Sequence, residues 1–160
     1  MTNVYGPPKA EKKMQFMDSL GMINSMIEGK PWIIGGEFNL IRNLEEKKGG
    51  IRQLNPINDS FNEVIDNLKL VYLRTNNDTF TWNNKRTGDR GIAYHLDCFL
   101  VSKSIMMNGG ELKALVLPSA GYDHWLIKPE WENVGSNLCR PFSFKKIWLL
   151  QPDFQEKLKE

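Results

Sequence analysis

Between residues 9 and 28 the apolar positions Met14, Met17, Leu20, Ile23 and Ile27 recur at three- and four-residue steps. That spacing predicts an amphipathic helix, ended by Gly29 and Pro31, with its methionines as core filler. A short strand precedes it at residues 3–5, broken by Gly6-Pro7-Pro8. Residues 31–34 read as a buried strand that runs into Gly35-Gly36-Glu37-Phe38-Asn39. Strand periodicity puts Glu37 and Asn39 on one face and Phe38 on the other. The two glycines remove Cβ bulk and are expected to let a ligand approach the backbone. Residues 40–56, with Glu45-Glu46-Lys47-Lys48-Gly49-Gly50, read as a solvated loop whose charges are surface. Ser60-x-x-Glu63 predicts a capping box opening a helix that buries Phe61, Val64, Ile65 and Leu68.

Strands are predicted at 70–74 and 79–82, then a turn-rich stretch at 83–88, then a longer strand at 91–102. In that long strand Ile92, Tyr94, Leu96, Cys98 and Leu100 share one face; Ala93, His95, Asp97 and Phe99 share the other. An acidic residue in mid-strand is not expected to be buried without a partner. One helical turn follows at 104–108, a strand at 111–117, a loop at 118–124 and a last strand at 125–131. The tail holds a turn at 133–137 and a helix starting at Pro152-Asp153. Helices are too few to alternate with every strand, which favours an α+β fold or an α/β sandwich over a doubly wound sheet.

Composition narrows the function classes. With 41% hydrophobic and 25% charged residues, the 160-residue chain reads as an ordinary soluble domain with a real core. The formal net charge is +2, and it resides in the tail from Arg140 onward; the rest of the chain balances to zero. Bulk charge therefore gives no nucleic-acid footprint, and any such function must come from a site. Cys98 and Cys139 are isolated, which fits a reduced intracellular compartment, nucleus or cytoplasm unresolved. There is no signal-peptide core and no run near the ~18 apolar residues of a spanning helix, so no membrane partner is expected.

Three polar clusters end or interrupt strands: Glu37/Asn39, Asp97 and Asp123/His124, with Tyr5 a fourth candidate. Carboxylates, an imidazole, an amide and a phenol suit metal-assisted phosphodiester hydrolysis. Each residue has a bland reading as well. Tyr5 reads as a core tyrosine, Asp97 as a partner of Arg86 or Arg90, and Asp123-His124 as a loop capping pair.

The motif order NVYGPP, PWIIGGEFN, TFTWNN, HLDCFLVS and YDHW resembles the C-terminal half of the endonuclease/exonuclease/phosphatase superfamily. It looks most like the endonuclease domain of plant LINE-type (non-LTR) retrotransposon polyproteins. The tail PFSFKKIWLLQPDF resembles the linker that leads toward a reverse transcriptase. The resemblance implies a truncated half of a four-layer α/β/β/α fold over residues 1–132, with a linker at 133–160. It implies Mg²⁺ as cofactor, DNA as partner and no small organic cofactor. By position, Tyr5 and Asn39 match the groups that hold the scissile phosphate, and Glu37 matches the carboxylate that activates water. Asp97 matches the partner of the catalytic histidine, His124 matches that histidine, and Asp123 its neighbour near the metal. His95 takes the family's arginine position and is expected to be structural. Trp82 and Trp125 are expected to be core rather than base-stacking platforms, and Lys85, Arg86 and Arg90 a solvated hairpin.

Two departures shape the expectation. Glu37 replaces an aspartate, and misplacing a reacting group by about 1 Å can lower a rate on the order of a hundredfold. The matched half also excludes the family's main Mg²⁺-ligating glutamate. The expected function is a fragment of a Mg²⁺-dependent DNA endonuclease, impaired or inactive by itself. The alternatives are a non-enzymatic relic of a decayed element and a small-molecule phosphodiesterase or phosphatase.

Overall fold

The first strand, β1 (Thr2–Tyr5), lies parallel to the second, β2 (Ile33–Glu37), and helix α1 (Ala10–Met26) makes the crossover between them. The computed structural model describes residues 1–73, 75, 80–107, 111–118 and 122–132. After β2 come a 3₁₀ turn at Leu44–Glu46 and the two-residue strand β3 (Lys47–Lys48). Helix α2 (Pro56–Asn67) leads into β4 (Leu70–Leu73). Then come β5 (Trp82–Asn83), a 3₁₀ turn at Gly88–Arg90, β6 (Ala93–Tyr94) and β7 (Asp97–Ser102). Helix α3 (Lys103–Met107) and the strands β8 (Glu111–Leu117) and β9 (Leu126–Glu132) complete the described chain.

The main sheet has the order β1-β2-β7-β4, with β7 antiparallel to both of its neighbours. A three-stranded sheet runs β3-β6-β5, and β8 and β9 form an antiparallel pair. The architecture is thus a mixed α+β sandwich. Side-chain alternation on β7 sends Cys98 and Leu100 toward a core that also holds Met17, Leu20, Phe38, Phe61 and Ile65 from the helix side. Phe99 and Val101 go to the opposite face, against Ile105, Leu112 and Ala114. Among the described residues the layers are therefore helices, main sheet and β8–β9. No described helix is long and apolar enough to cross a membrane.

Several local expectations are corrected. The long strand breaks after Tyr94, because Leu96 N and Asp97 N both donate to the buried Thr81 hydroxyl at 3.0 Å. Successive amides converging on one acceptor cannot belong to a regular strand, so the chain bends there and changes sheet. The second helix starts earlier than the Ser60 capping box: Asn55 is the cap, accepting from Ile57 N at 3.1 Å, with Pro56 in the first position. Glu46 is not a surface charge. It is 5% exposed, and its Oε2 accepts from Arg42 N at 2.7 Å. Met17 fills the core as expected, whereas Met14 is exposed. The glycines of β2 serve the protein's own chain rather than a ligand. A Cβ on Gly36, whose φ is +139°, would lie 2.1 Å from the Val4 carbonyl oxygen, and one on Gly35 would strike the Phe99 ring. Cys98 is a buried free thiol. The expectations for Cys139 and for the 133–160 tail fall outside the described residues.

Candidate active site

Register across the main sheet builds the site. Tyr5 pairs with Glu37, and Glu37 pairs with Asp97, so three functional candidates lie abreast at one end of three adjacent strands. Alternation puts Glu37 and Asp97 on the Ile33–Phe99–Val101 face, away from the helices. Two carboxylates side by side on a half-buried face repel each other and call for a cation or proton donor between them.

His124 is that donor. Its Nδ1 lies 3.0 Å from Asp97 Oδ2, and its Nε2 lies 3.6 Å from Glu37 Oε2. The first contact is a hydrogen bond that sets the ring's orientation; the second is too long for one and leaves the Nε2 edge open to a third group. Burial pushes the Glu37 carboxyl above its ordinary range. The adjacent imidazole opposes that rise, and the Asp97 carboxylate across the strand adds to it.

The short strand β5 fixes the histidine loop. Trp82 and His124 form an isolated bridge, Trp125 N donates to the Thr81 carbonyl at 2.7 Å, and Asn83 N donates to the Asp123 carbonyl at 3.1 Å. Thr81 therefore ties both halves of the Asp97–His124 pair: its hydroxyl holds the Asp97 amide and its carbonyl holds the residue after His124. The TFTW motif alone assigns Thr81 no such role. The available signal was a small polar residue between two aromatics in a strand, which needs a buried partner.

The other predicted residues are placed as follows. Asn39 adopts a left-handed backbone, φ +55°, a conformation asparagine tolerates better than most residues. Its Nδ2 donates to the Gly6 carbonyl at 2.8 Å, and its carboxamide, close to Glu37, opposes the rise of that carboxyl's pKa. Tyr5 sits beside Glu37 in register but is 73% exposed, its ring at the edge of the sheet. Asp123 is exposed, and its Oδ2 accepts from the Trp82 indole at 3.1 Å. That indole holds the Asp123 carboxyl below the usual carboxylate range. Asp97 has His124 as its partner rather than the arginines at 86 or 90. Trp82 and Tyr94 pack with their rings tilted, 5.7 Å between centres.

Glu37, Asp97 and His124 each offer one ligand atom, and all three atoms lie within 4.8 Å of one another. This donor set fits a divalent cation: the two carboxylate oxygens suit a hard ion, and the imidazole suits a borderline one.

No protein-family model matches the chain, and no curated protein matches it. Among solved structures the chain is similar to the endonuclease domain of TRAS1, a telomere-specific non-LTR retrotransposon, with a TM-score of 0.61 at 16% sequence identity. The match covers 78% of this chain and 52% of that one, so this chain spans about half the length of the structure it resembles. The two share a fold.

Proposed function

We propose that this chain is part of a Mg²⁺-dependent DNA endonuclease of the retrotransposon type, hydrolysing phosphodiester bonds at Glu37, Asp97 and His124. One observation carries the reading. Two carboxylates and an imidazole from distant parts of the chain meet within 4.8 Å, in a fold shared with the TRAS1 endonuclease domain.

Glu37 takes the proton of the attacking water. Its burial-raised proton affinity is suited to a general base, and Asn39 holds its carboxylate in place. Asp97 accepts from His124 Nδ1–H and so aims the Nε2 edge at the developing charge on the phosphoryl oxygens. Tyr5, abreast of Glu37 with its phenol in solvent, is placed to hydrogen-bond the same phosphate. Glu37 and Asp97 would hold the metal, with Asp123 supplying a further ionised carboxylate next to His124. Bound there, a divalent cation supplies charge neutralisation at the phosphate. Mg²⁺ prefers six oxygens and keeps several waters, so a site with so few protein carboxylates would hold it weakly.

Nicking of supercoiled plasmid tests the reading. Open circles are expected with Mg²⁺, none with EDTA, and a rate reduced at least about a hundredfold by His124→Ala. No conversion in Mg²⁺ or Mn²⁺, or equal rates for the two proteins, sinks it. Hydrolysis of a small phosphoester without plasmid nicking would instead assign the same residues to a small-molecule phosphodiesterase or phosphatase.

A further inference from the structure

A cavity of about 430 Å³ begins at Glu37, Asn39 and His124 and runs between the start of α1 and the start of α2. Three of the polar groups lining it have no part in the chemistry above. Lys13 reaches in from α1, and its Nζ donates to the Asn39 main-chain carbonyl at 2.7 Å. An ammonium has three donors, and no carboxylate among the described residues answers this one. Burial lowers its pKa, as expected for a cation without a counter-ion. Lys47, on another wall, lies 5.3 Å from the Tyr94 ring centre and donates to the Ile51 carbonyl, again without a carboxylate partner among the described residues.

Asn58 is the third observation. It sits in the first turn of α2, is only 6% exposed, and lines the cavity. Its carboxamide is a neutral donor and acceptor on the cavity wall. A carboxamide so placed can donate to a phosphate oxygen without adding charge. Leu40, Ile41 and Ile57 supply apolar wall around these donors, which lowers the local dielectric and strengthens their pull on an anion. The only described carboxylate lining the cavity is Glu37, at its catalytic end.

We propose that this cavity is a second phosphate subsite: it binds the phosphodiester next to the one being cut, through Lys13 and Asn58, with Lys47 adding charge. The subsite rests on the endonuclease reading. It makes the minimal substrate a strand with at least two phosphates, and it fixes the direction in which that strand crosses Glu37 and His124. Bulk charge gives the chain no general attraction for nucleic acid, so such local cations have a large share in holding the strand.

Binding of the full chain to a short DNA duplex, followed by fluorescence anisotropy in EDTA, tests this without requiring cleavage. Between about 50 and 200 mM salt, Lys13→Met should lower the log–log salt slope by roughly 0.9, the value of one phosphate contact, and weaken binding several-fold at the low end. Lys13→Arg should restore the slope. Asn58→Leu, which removes no charge, should weaken binding several-fold at unchanged slope. A duplex with one neutral methylphosphonate beside the cut should bind wild type more weakly and Lys13→Met no differently from the unmodified duplex. An unchanged slope in Lys13→Met, or an equal methylphosphonate penalty in both proteins, overturns the subsite while leaving the endonuclease reading intact. If wild type shows neither salt-dependent binding nor nicking, the endonuclease reading falls and the subsite with it. Thermal melts of each variant separate lost contacts from lost fold.

Discussion

Asp97→Asn is the sharpest probe of the site. The substitution keeps shape and volume and removes the charge that His124 Nδ1 faces at 3.0 Å, together with one of the two carboxylates placed to hold the metal. At an effective dielectric of about 20, two unit charges at that distance attract by about 5–6 kcal/mol, which sets a ceiling for imidazolium stabilisation in the transition state. Hydrogen bonds to a charged group contribute a net of about 1.5–3 kcal/mol once solvation is counted. At about 1.4 kcal/mol per factor of ten, the nicking rate should fall roughly 10- to 150-fold. The amide can also present its N–H₂ to the ring and favour the wrong tautomer, which pushes the loss toward the upper end. The assay is the initial rate of open-circle formation from supercoiled plasmid in Mg²⁺, with a thermal melt as control. Because Asp97 also adds to the rise of the Glu37 pKa, removing its charge should move the alkaline-rising limb of the pH–rate profile to lower pH. A folded Asp97→Asn protein within threefold of the wild-type rate would refute the account of how His124 is held.

Glu37→Gln should abolish nicking yet raise the melting temperature at neutral pH. The folded state raises the Glu37 pKa, so its favourable contribution is complete below the unfolded value and is lost as pH rises through the folded value. Solvent screening keeps the gain small, and it should vanish in acid; a gain that persists in acid contradicts it. Thr81→Val leaves the Leu96 and Asp97 amides without their acceptor, a loss of about 1–3 kcal/mol, and should lower both melting temperature and nicking rate; an unchanged melt would show the Thr81 hydroxyl to be dispensable. Gly36→Ala forces a Cβ to within 2.1 Å of the Val4 carbonyl at φ +139°, so β1 should separate from β2 with at least about 2 kcal/mol lost in urea denaturation, and an unaltered midpoint would contradict the close approach.

Much of the molecule was legible because it is locally encoded. The three- and four-residue steps of α1 and the apolar run of β2 need only neighbouring residues to be read. The polar residues at 37, 39, 97 and 124 stood out as misfits in or beside strands, and the expectation that Asp97 needs a partner is met. Its identity was another matter: from the chain alone Arg86 and Arg90 competed with His124, since nothing local ranks partners 27 residues apart. Glu46 was misread because its burial depends on Arg42 turning its amide inward, and a loop has no periodicity to announce that. The second helix is read as starting late because Ser60 and Glu63 fit a capping pattern, while Asn55 and Pro56 fit a better one five residues earlier. Thr81 and Lys13 were missed for one reason: each acts through main-chain atoms of residues far away in the chain.

The sequence by itself determined most of the strands and helices and which residues have the right chemistry, since propensity, alternation and side-chain type are properties of neighbours. Tertiary structure alone decided that Glu37 and Asp97 stand opposite each other, that His124 closes on both, and that Lys13 and Asn58 line the adjoining cavity. Strand register and loop closure depend on the whole packed sheet, where a shift of one residue would turn Asp97 to the helix side and dismantle the site.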